Sequence, residues 1–513
     1  MESAKKIEKI QTPSKIKNSK DEIINTHTDE IVIALCGTIG SPLHRVAESL
    51  KKQLVNNFDY HCNIIRLSKF IEKSIDSDIS RLKKFDRFNK LIEQGNKLRK
   101  KYGPSILAEL CIHNIALNRI EINKEKIKKP NRICHIIDSI KNDEELNILR
   151  LVYGDLFYCI AISSSLTLRE QELLTQEMTS GEIHQLFDRD SGEEFDHGQR
   201  VDKTFPQSDY FIRIDNESST KLDDKIERFL DLIFNSKIIT PNKYENAMYL
   251  AASSACNSSC LSRQVGAAVT DAEGELISVG WNDVPKFGGN LYTYNDFASN
   301  SGITDSRCMN YNDNKCYNDF YKKSLRDEIF DDLVEALEIT SEENKKIVVK
   351  ILNESKISNL IEFSRSIHAE MHAIIIGSQL AGNRIKGGKL FCTTYPCHNC
   401  ARHIIVAGIK EIYYIEPYRK SLAIQLHHDA ITETETDKNK VKLLAFEGVA
   451  PNLYYKLFKM IDDSRKVDGI KIIINNKDAS PKQKTTLESI PVLESIVTRK
   501  LDQTDSELKE LLS

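Results

Sequence analysis

The sequence predicts an α/β protein of two successive units, a doubly wound sheet followed by an α/β/α layer arrangement. Three observations carry this. Five short apolar runs, at 31–35, 63–67, 133–137, 156–162 and 210–214, have the length of buried strands and alternate with helical stretches. Residues 368–415 read helix, strand, helix, strand, which implies parallel strands with both helix starts at one sheet edge. At 513 residues the chain is also too long for one ordinary core. The expected organisation is a flexible N-terminus over 1–29, a first unit over 30–235, a second over 240–470 with an insertion at 286–362, and a polar tail over 477–513.

In the first unit, Ile31-Val-Ile-Ala-Leu35 leads into Cys36-Gly-Thr-Ile-Gly-Ser-Pro-Leu43, and helical periodicity follows over 44–54. Strand, glycine loop, helix is a layout that presents free backbone amides to a phosphate. Gly37, Gly40 and Ser41 are therefore candidate phosphate-binding residues. Asp138, closing a hydrophobic strand, stands where a carboxylate would hold magnesium. The loop departs from the G-x-x-x-x-G-K-[ST] pattern, because positions 42–44 hold Pro42, Leu43 and His44. The lysine that would reach the β- and γ-phosphates is absent. The reading is a unit that binds a regulatory nucleotide, or a fold kept for assembly, rather than one that transfers phosphoryl groups efficiently.

An amphipathic stretch at 222–235 and the turn Thr240-Pro-Asn-Lys mark the join. The second unit opens with two apolar runs around the turn at 271–274, a β-hairpin pattern. Then come His368-Ala369-Glu370 and Pro396-Cys397-His398-Asn399-Cys400. Together they read H-x-E … P-C-x-x-C, the signature of zinc-dependent nucleobase deaminases. The chemistry explains the residue types. Removing an exocyclic amine needs an attacking hydroxide near neutral pH. A zinc ion with three protein ligands keeps a position for water and lowers that water's pKa to about 7. His368, Cys397 and Cys400 would be the ligands, and Glu370 the proton shuttle. Pro396 suits the first position of the second helix, and Gly408 a stop. A lone C-x-x-C is often a structural zinc knuckle, but that reading leaves Glu370 unexplained and the metal one ligand short. Within the insertion, Cys308 and Cys316, with Cys260 or Cys256, have the makings of a second zinc site; free or buried thiols are the favoured reading.

Composition narrows the classes. The formal net charge is −3, so there is no global field for a polyanion, and the basic runs at 97–101 and 124–129 read as solvated faces. Twelve scattered cysteines fit thiols in a reducing cytosol. No apolar run reaches the length of a membrane helix, and the first thirty residues lack a secretory apolar core. The expected location is the cytoplasm.

The hairpin and metal motif resemble the CMP/dCMP-type deaminase fold, and Gly-Trp-Asn282-Asp-Val-Pro285 resembles that family's Gly-Tyr-Asn-Gly-x-Pro segment. The resemblance implies that Asn282 contacts the nucleoside; a turn-stabilising role is the alternative. Ala369 and Tyr395 are further substrate-contact candidates, with Tyr395 either against the base or ribose or part of the core. Most of residues 30–470 is similar to the bacterial anti-phage dCTP deaminases, which join a P-loop-kinase-like region to a deoxycytidylate-deaminase domain. The segments carrying this include Leu91-Ile-Glu-Gln-Gly-Asn-Lys-Leu-Arg-Lys-Lys-Tyr-Gly103, Gly198-Gln-Arg-Val-Asp-Lys-Thr-Phe205, Ser262-Arg-Gln-Val-Gly266 and Gly448-Val-Ala-Pro451. The resemblance implies deamination of dCTP and dCMP, a homo-oligomer (a hexamer in deoxycytidylate deaminases), and restraint by a regulatory nucleotide or an inhibitory small RNA or protein. Two other readings stand beside it: a polynucleotide-editing deaminase acting on tRNA or single-stranded DNA, and a nucleotide-sensing scaffold with a silent deaminase domain.

Overall fold

The computed structural model describes residues 19–75, 77–124, 132–192, 198–215, 219–298, 304–311, 313–418, 421–461 and 465–502. The first sheet is built from β1 (Ile31–Gly37), β2 (His61–Arg66), β3 (Ile133–Ile140), β4 (Phe157–Ser164) and β5 (Tyr210–Ile214). These five are mutually parallel, in the order β2-β3-β1-β4-β5. All seven residues of β1 are buried, as a central parallel strand covered on both faces requires. Its side chains divide by the pleat. Ile31, Ile33 and Leu35 pack with α1 (Leu43–Phe58) through Val46, Leu50 and Leu54. Val32, Ala34 and Cys36 join the opposite core with α2 (Ile106–Lys124) through Leu107, Cys111 and Ile115. The chain runs outward from β1 in both directions, so the loop after β1 sits at a topological switch point.

The second sheet contains β6 (Gly266–Thr270), β7 (Leu276–Trp281), β8 (Lys389–Thr394), β9 (Glu411–Glu416), β10 (Ile431–Thr432) and β11 (Val441–Ala445). Its order is β10-β11-β9-β8-β6-β7. Strands β8, β9 and β11 are parallel, as the helix-strand alternation predicts, while β6 runs antiparallel to both β7 and β8. One face packs on α3 (Lys243–Ala255), whose Ala247, Met248 and Ala251 meet Ala268 and Phe391. The insertion contributes α4 (Tyr317–Ala336) and α5 (Glu342–Glu354). The other face carries α6 (Ala369–Ala381) and α7 (His398–Val406), which close over Ala267, Val269, Leu390 and Cys392. The two sheets share a core, in which Phe211 of β5 lies edge-on to Phe446 at 5.8 Å.

The chain ends depart from expectation. After β11, β12 (Gly448–Val449) adds antiparallel to β5, and α8 (Pro451–Phe458) buries Leu453 and Leu457 in the first sheet's core. Residues assigned to the second unit thus complete the first. The polar tail also docks: α9 (Ile490–Asp502) buries Ile490, Val497 and Leu501 against α2. Its Glu494 meets Arg119 at 2.5 Å, and Arg119 meets Glu30 at 2.5 Å, all three nearly fully buried. Paired carboxylates make that burial tolerable, which is why a charged segment folds inward. Residues Ser19–Asn25 form a helix, and His27–Thr28 pairs with Thr485–Thr486. Of the flexible N-terminus expected over 1–29, residues 1–18 lie outside the described residues, as do residues 503–513 of the polar tail. Of the basic runs, Lys97, Lys100 and Lys101 are exposed while Arg99 is buried against Glu145 at 2.8 Å; 125–129 lies outside the described residues. Among the described residues no helix is long and apolar enough to cross a membrane.

Candidate active site

The site forms where α6 and α7 begin. His368 is the N-cap of α6 and Cys397 the N-cap of α7, so both helix N-termini point at the same place. Cys397 takes the cap because its sulfur accepts the amide of Cys400 at 3.5 Å. The helix therefore starts at His398, and Pro396 precedes the cap rather than occupying the first helical position as expected. The strand β8 delivers Thr394, and the short link Tyr395-Pro396 turns the chain into α7; the Pro396 carbonyl is held by the Ser421 hydroxyl at 2.7 Å. On the other side, the Ile367 amide donates to the Asp283 carbonyl at 3.0 Å and fixes the approach to His368. Helix α6 lies close on β7. A Cβ at Gly280 would stand 2.4 Å from the Ala373 nitrogen, so only glycine fits there.

This brings Nδ1 of His368 to 3.4 Å from Sγ of Cys397 and 3.3 Å from Sγ of Cys400. All three donor atoms lie within 4.8 Å of one another. The edges of a tetrahedron with zinc–nitrogen near 2.0 Å and zinc–sulfur near 2.3 Å are roughly 3.5 Å long, so the set fits zinc in both donor chemistry and spacing. The Cys400 thiol and then His368 hydrogen-bond Cys397 and pull its thiol down to about 4. The same sulfur contact pushes Cys400 up, because the pair shares its proton. Hydrogen bonding to Cys397 raises His368 to about 9. Glu370 is 4 % exposed, and burial raises its carboxyl above the ordinary range. A buried carboxyl two residues from the metal-donor histidine is placed to carry a proton between water and substrate.

His368, Ala369, Glu370, Cys397, Asn282 and Tyr395 all line one cavity of about 900 Å³. Asn282 does what the turn-stabilising alternative requires: its Oδ1 accepts from the Val265 amide at 2.7 Å and its Nδ2 donates to the Arg263 carbonyl at 2.9 Å. Tyr395 donates its hydroxyl to Glu433 at 3.1 Å and packs edge-on to Tyr414 at 4.8 Å. Cys260, Cys308 and Cys316 line the same cavity. Among the described residues, however, His368, Cys397 and Cys400 are the only group that gathers as metal donors. Two parts of the wall were not legible as site residues: Gln199, Arg200, Asp202 and Lys203 from before β5, and Tyr317 and Asn318 from the insertion with Arg365 just after it.

At the first sheet, the Gly37 carbonyl accepts from Lys141 at 2.6 Å, and Ser41 shares a hydrogen bond with Thr38 at 3.1 Å. Gly40 has φ +82. The carboxylate of Asp138 is engaged by His44, with Arg66 at 3.9 Å. A cavity of about 350 Å³ beside this loop is lined by Gly40, Pro42 and Arg45, without Gly37, Ser41 or Asp138. His44, standing where a phosphate-binding loop carries serine or threonine, thus occupies the carboxylate expected to hold magnesium.

The fold and donor set of the second unit are those of a zinc-binding deaminase region: residues 241–416 match the cytidine and deoxycytidylate deaminase zinc-binding region. Among individual proteins, the chain is 46% identical over 100 residues to ComE operon protein 2 of Bacillus subtilis (strain 168), spanning 18% of this chain and 52% of that one. It is 40% identical over 55 residues to the deoxycytidylate deaminases of Enterobacteria phages T2 and T4, spanning 11% of this chain and 29% and 28% of theirs. The chain thus spans about half the length of the first of these relatives and under a third of the other two. A dCMP deaminase from cyanophage S-TIM5, solved with dCMP and dUMP, aligns at 20% identity and TM-score 0.24, over 40% of this chain and 99% of that one.

Proposed function

We propose that the protein hydrolytically deaminates free deoxycytidine nucleotides, dCTP and dCMP, to the uracil nucleotides. The observation that carries this reading is the buried Glu370 two residues from a His-Cys-Cys donor set, opening on a cavity large enough for a nucleotide. Zinc held by His368, Cys397 and Cys400 would supply the Lewis acidity that makes water nucleophilic near neutral pH. Glu370 takes one proton from the attacking water and passes it to ring N3 as oxygen bonds to C4; it then takes the proton of the new C4 hydroxyl and delivers it to the exocyclic nitrogen, so that the C4–N bond breaks, ammonia leaves and the ring keeps a carbonyl. Similarity to the deoxycytidylate deaminases of phages T2 and T4 supports a deoxycytidine nucleotide.

The first unit, in this reading, binds a regulatory nucleotide or an inhibitor rather than transferring phosphoryl groups. The absence of the loop lysine and the engagement of Asp138 by His44 support that. Assembly as a homo-oligomer and a role in depleting dCTP during phage infection belong to the same proposal, on the family resemblance. The test is product analysis by mass spectrometry on zinc-loaded protein with dCTP, dCMP, CTP and single-stranded DNA. Uracil nucleotide from dCTP or dCMP supports the reading, whereas deamination of the polymer alone overturns it.

A further inference from the structure

Four residues that line the 900 Å³ cavity each carry a buried polar atom with no hydrogen-bond partner among the described residues: Gln199 Oε1, Tyr317 Oη, Asn318 Oδ1 and Arg365 Nη1. A buried polar group without a partner costs roughly 1–3 kcal/mol, and a ligand or ordered water drawn into this wall would relieve that cost. They come from two places distant in sequence, the segment before β5 and residues 317–365, and converge on the cavity that holds Glu370.

The cationic side chains of this wall differ in what they do. Arg263 is paired with Glu416 at 2.7 Å, Lys322 with Asp319 at 2.9 Å and Arg200 with Asp143 at 3.4 Å. Arg365 has no such carboxylate among the described residues. Its guanidinium lies instead over the rings of Tyr311 at 4.2 Å and Tyr317 at 5.2 Å. Contact with the ring faces makes no use of its N–H donors, and Nη1 has no partner among the described residues, which suits a contact with phosphate oxygens. The Tyr317 hydroxyl supplies a further donor. Lys203, exposed at the rim, adds charge from the first unit.

We infer that Arg365, held against Tyr311 and Tyr317, anchors the phosphate chain of the substrate, and that Gln199 and Lys203 extend this subsite, so that the first unit completes the active site of the second. The inference rests on the proposed deamination of nucleotides and adds its specificity: a preference for polyphosphorylated substrates.

The test uses full-length, zinc-loaded protein. Binding of inorganic triphosphate is measured by calorimetry, with zinc content checked afterwards, and steady-state kinetics are recorded on dCTP and deoxycytidine. In R365Q, triphosphate binding is expected to weaken at least tenfold, and the ratio of kcat/KM for dCTP to that for deoxycytidine to fall at least tenfold, mostly through KM. R365K, which keeps the charge and loses the fork, is expected to fall between and serves if R365Q loses its melting transition. Lys203→Ala is expected to weaken dCTP more than dCMP. Equal triphosphate binding by wild type and R365Q, or none by wild type, overturns the subsite. Triphosphate binding that depends on Arg365, with no cytosine compound deaminated, overturns the proposed function and leaves the subsite standing.

Discussion

Nδ1 of His368 lies 3.3 Å from Sγ of Cys400, two side chains 32 residues apart that are brought together by the N-termini of α6 and α7. That distance is an edge of a zinc tetrahedron, and the third donor, Cys397, closes the triangle. We expect the purified protein to carry about one zinc per chain, and C400A or H368A to lose it, read by elemental analysis. Full zinc occupancy in both variants would contradict the assignment of these ligands.

Glu370 need not bind the metal, so removing its charge should separate chemistry from zinc retention. Glu370→Gln is expected to keep the zinc content of wild type and to lose about 10²–10⁴-fold in kcat. Wild-type turnover in this variant would remove Glu370 from the mechanism.

The contact of α6 with β7 at Gly280 positions both His368 and Glu370. A methyl there would stand 2.5 Å from the Ala369 carbonyl oxygen. Gly280→Ala is expected to cost about 2 kcal/mol or more of stability and to displace α6, with lower activity in the fraction that folds. Denaturant titration and zinc content measure the two effects.

The buried trio Glu30, Arg119 and Glu494 ties α9 to the first sheet, with Tyr153 donating to Glu494 at 3.0 Å. Arg119→Met would leave two buried carboxylates without their partner and is expected to destabilise by about 3–5 kcal/mol. A denaturation midpoint unchanged from wild type would show that the trio is not the tie.

His135 of β3 is fully buried, and burial pushes its imidazole down to about 4 from 6.5. Between those values the unfolded chain binds a proton that the folded one does not. The stabilisation from keeping this histidine neutral is complete above about pH 6.5 and is lost as pH falls towards 4, on the order of 3 kcal/mol in all. Denaturation midpoints should fall across this window, and His135→Gln should flatten the dependence. A parallel dependence in the variant would assign it elsewhere.

Much of this architecture was readable because it is local. Residues 389–394 and 210–214 are strands with the bounds their apolar runs suggest, and the paired motif places the metal donors at two helix starts. What was hidden depends on partners distant in sequence. The polar-looking helix α9 folds inward because Glu494 finds Arg119 375 residues away. The two-residue β12 is too short to carry a periodic signal, yet it returns the chain to β5. Arg365 carried no signal in the sequence because its contacts with Tyr311 and Tyr317 form only in three dimensions. The helix starts two residues after Pro396, at His398, because a cysteine sulfur can cap a helix.

The central claim is that Glu370 and the His-Cys-Cys cluster deaminate a free deoxycytidine nucleotide. The direct measurement is mass spectrometry of dCTP and dCMP incubated with zinc-loaded wild type and with Glu370→Gln. We expect conversion to the uracil nucleotide, a gain of about one mass unit with release of ammonia, in wild type and its loss in the variant. Unchanged cytosine nucleotides in the presence of fully zinc-loaded wild type would contradict it.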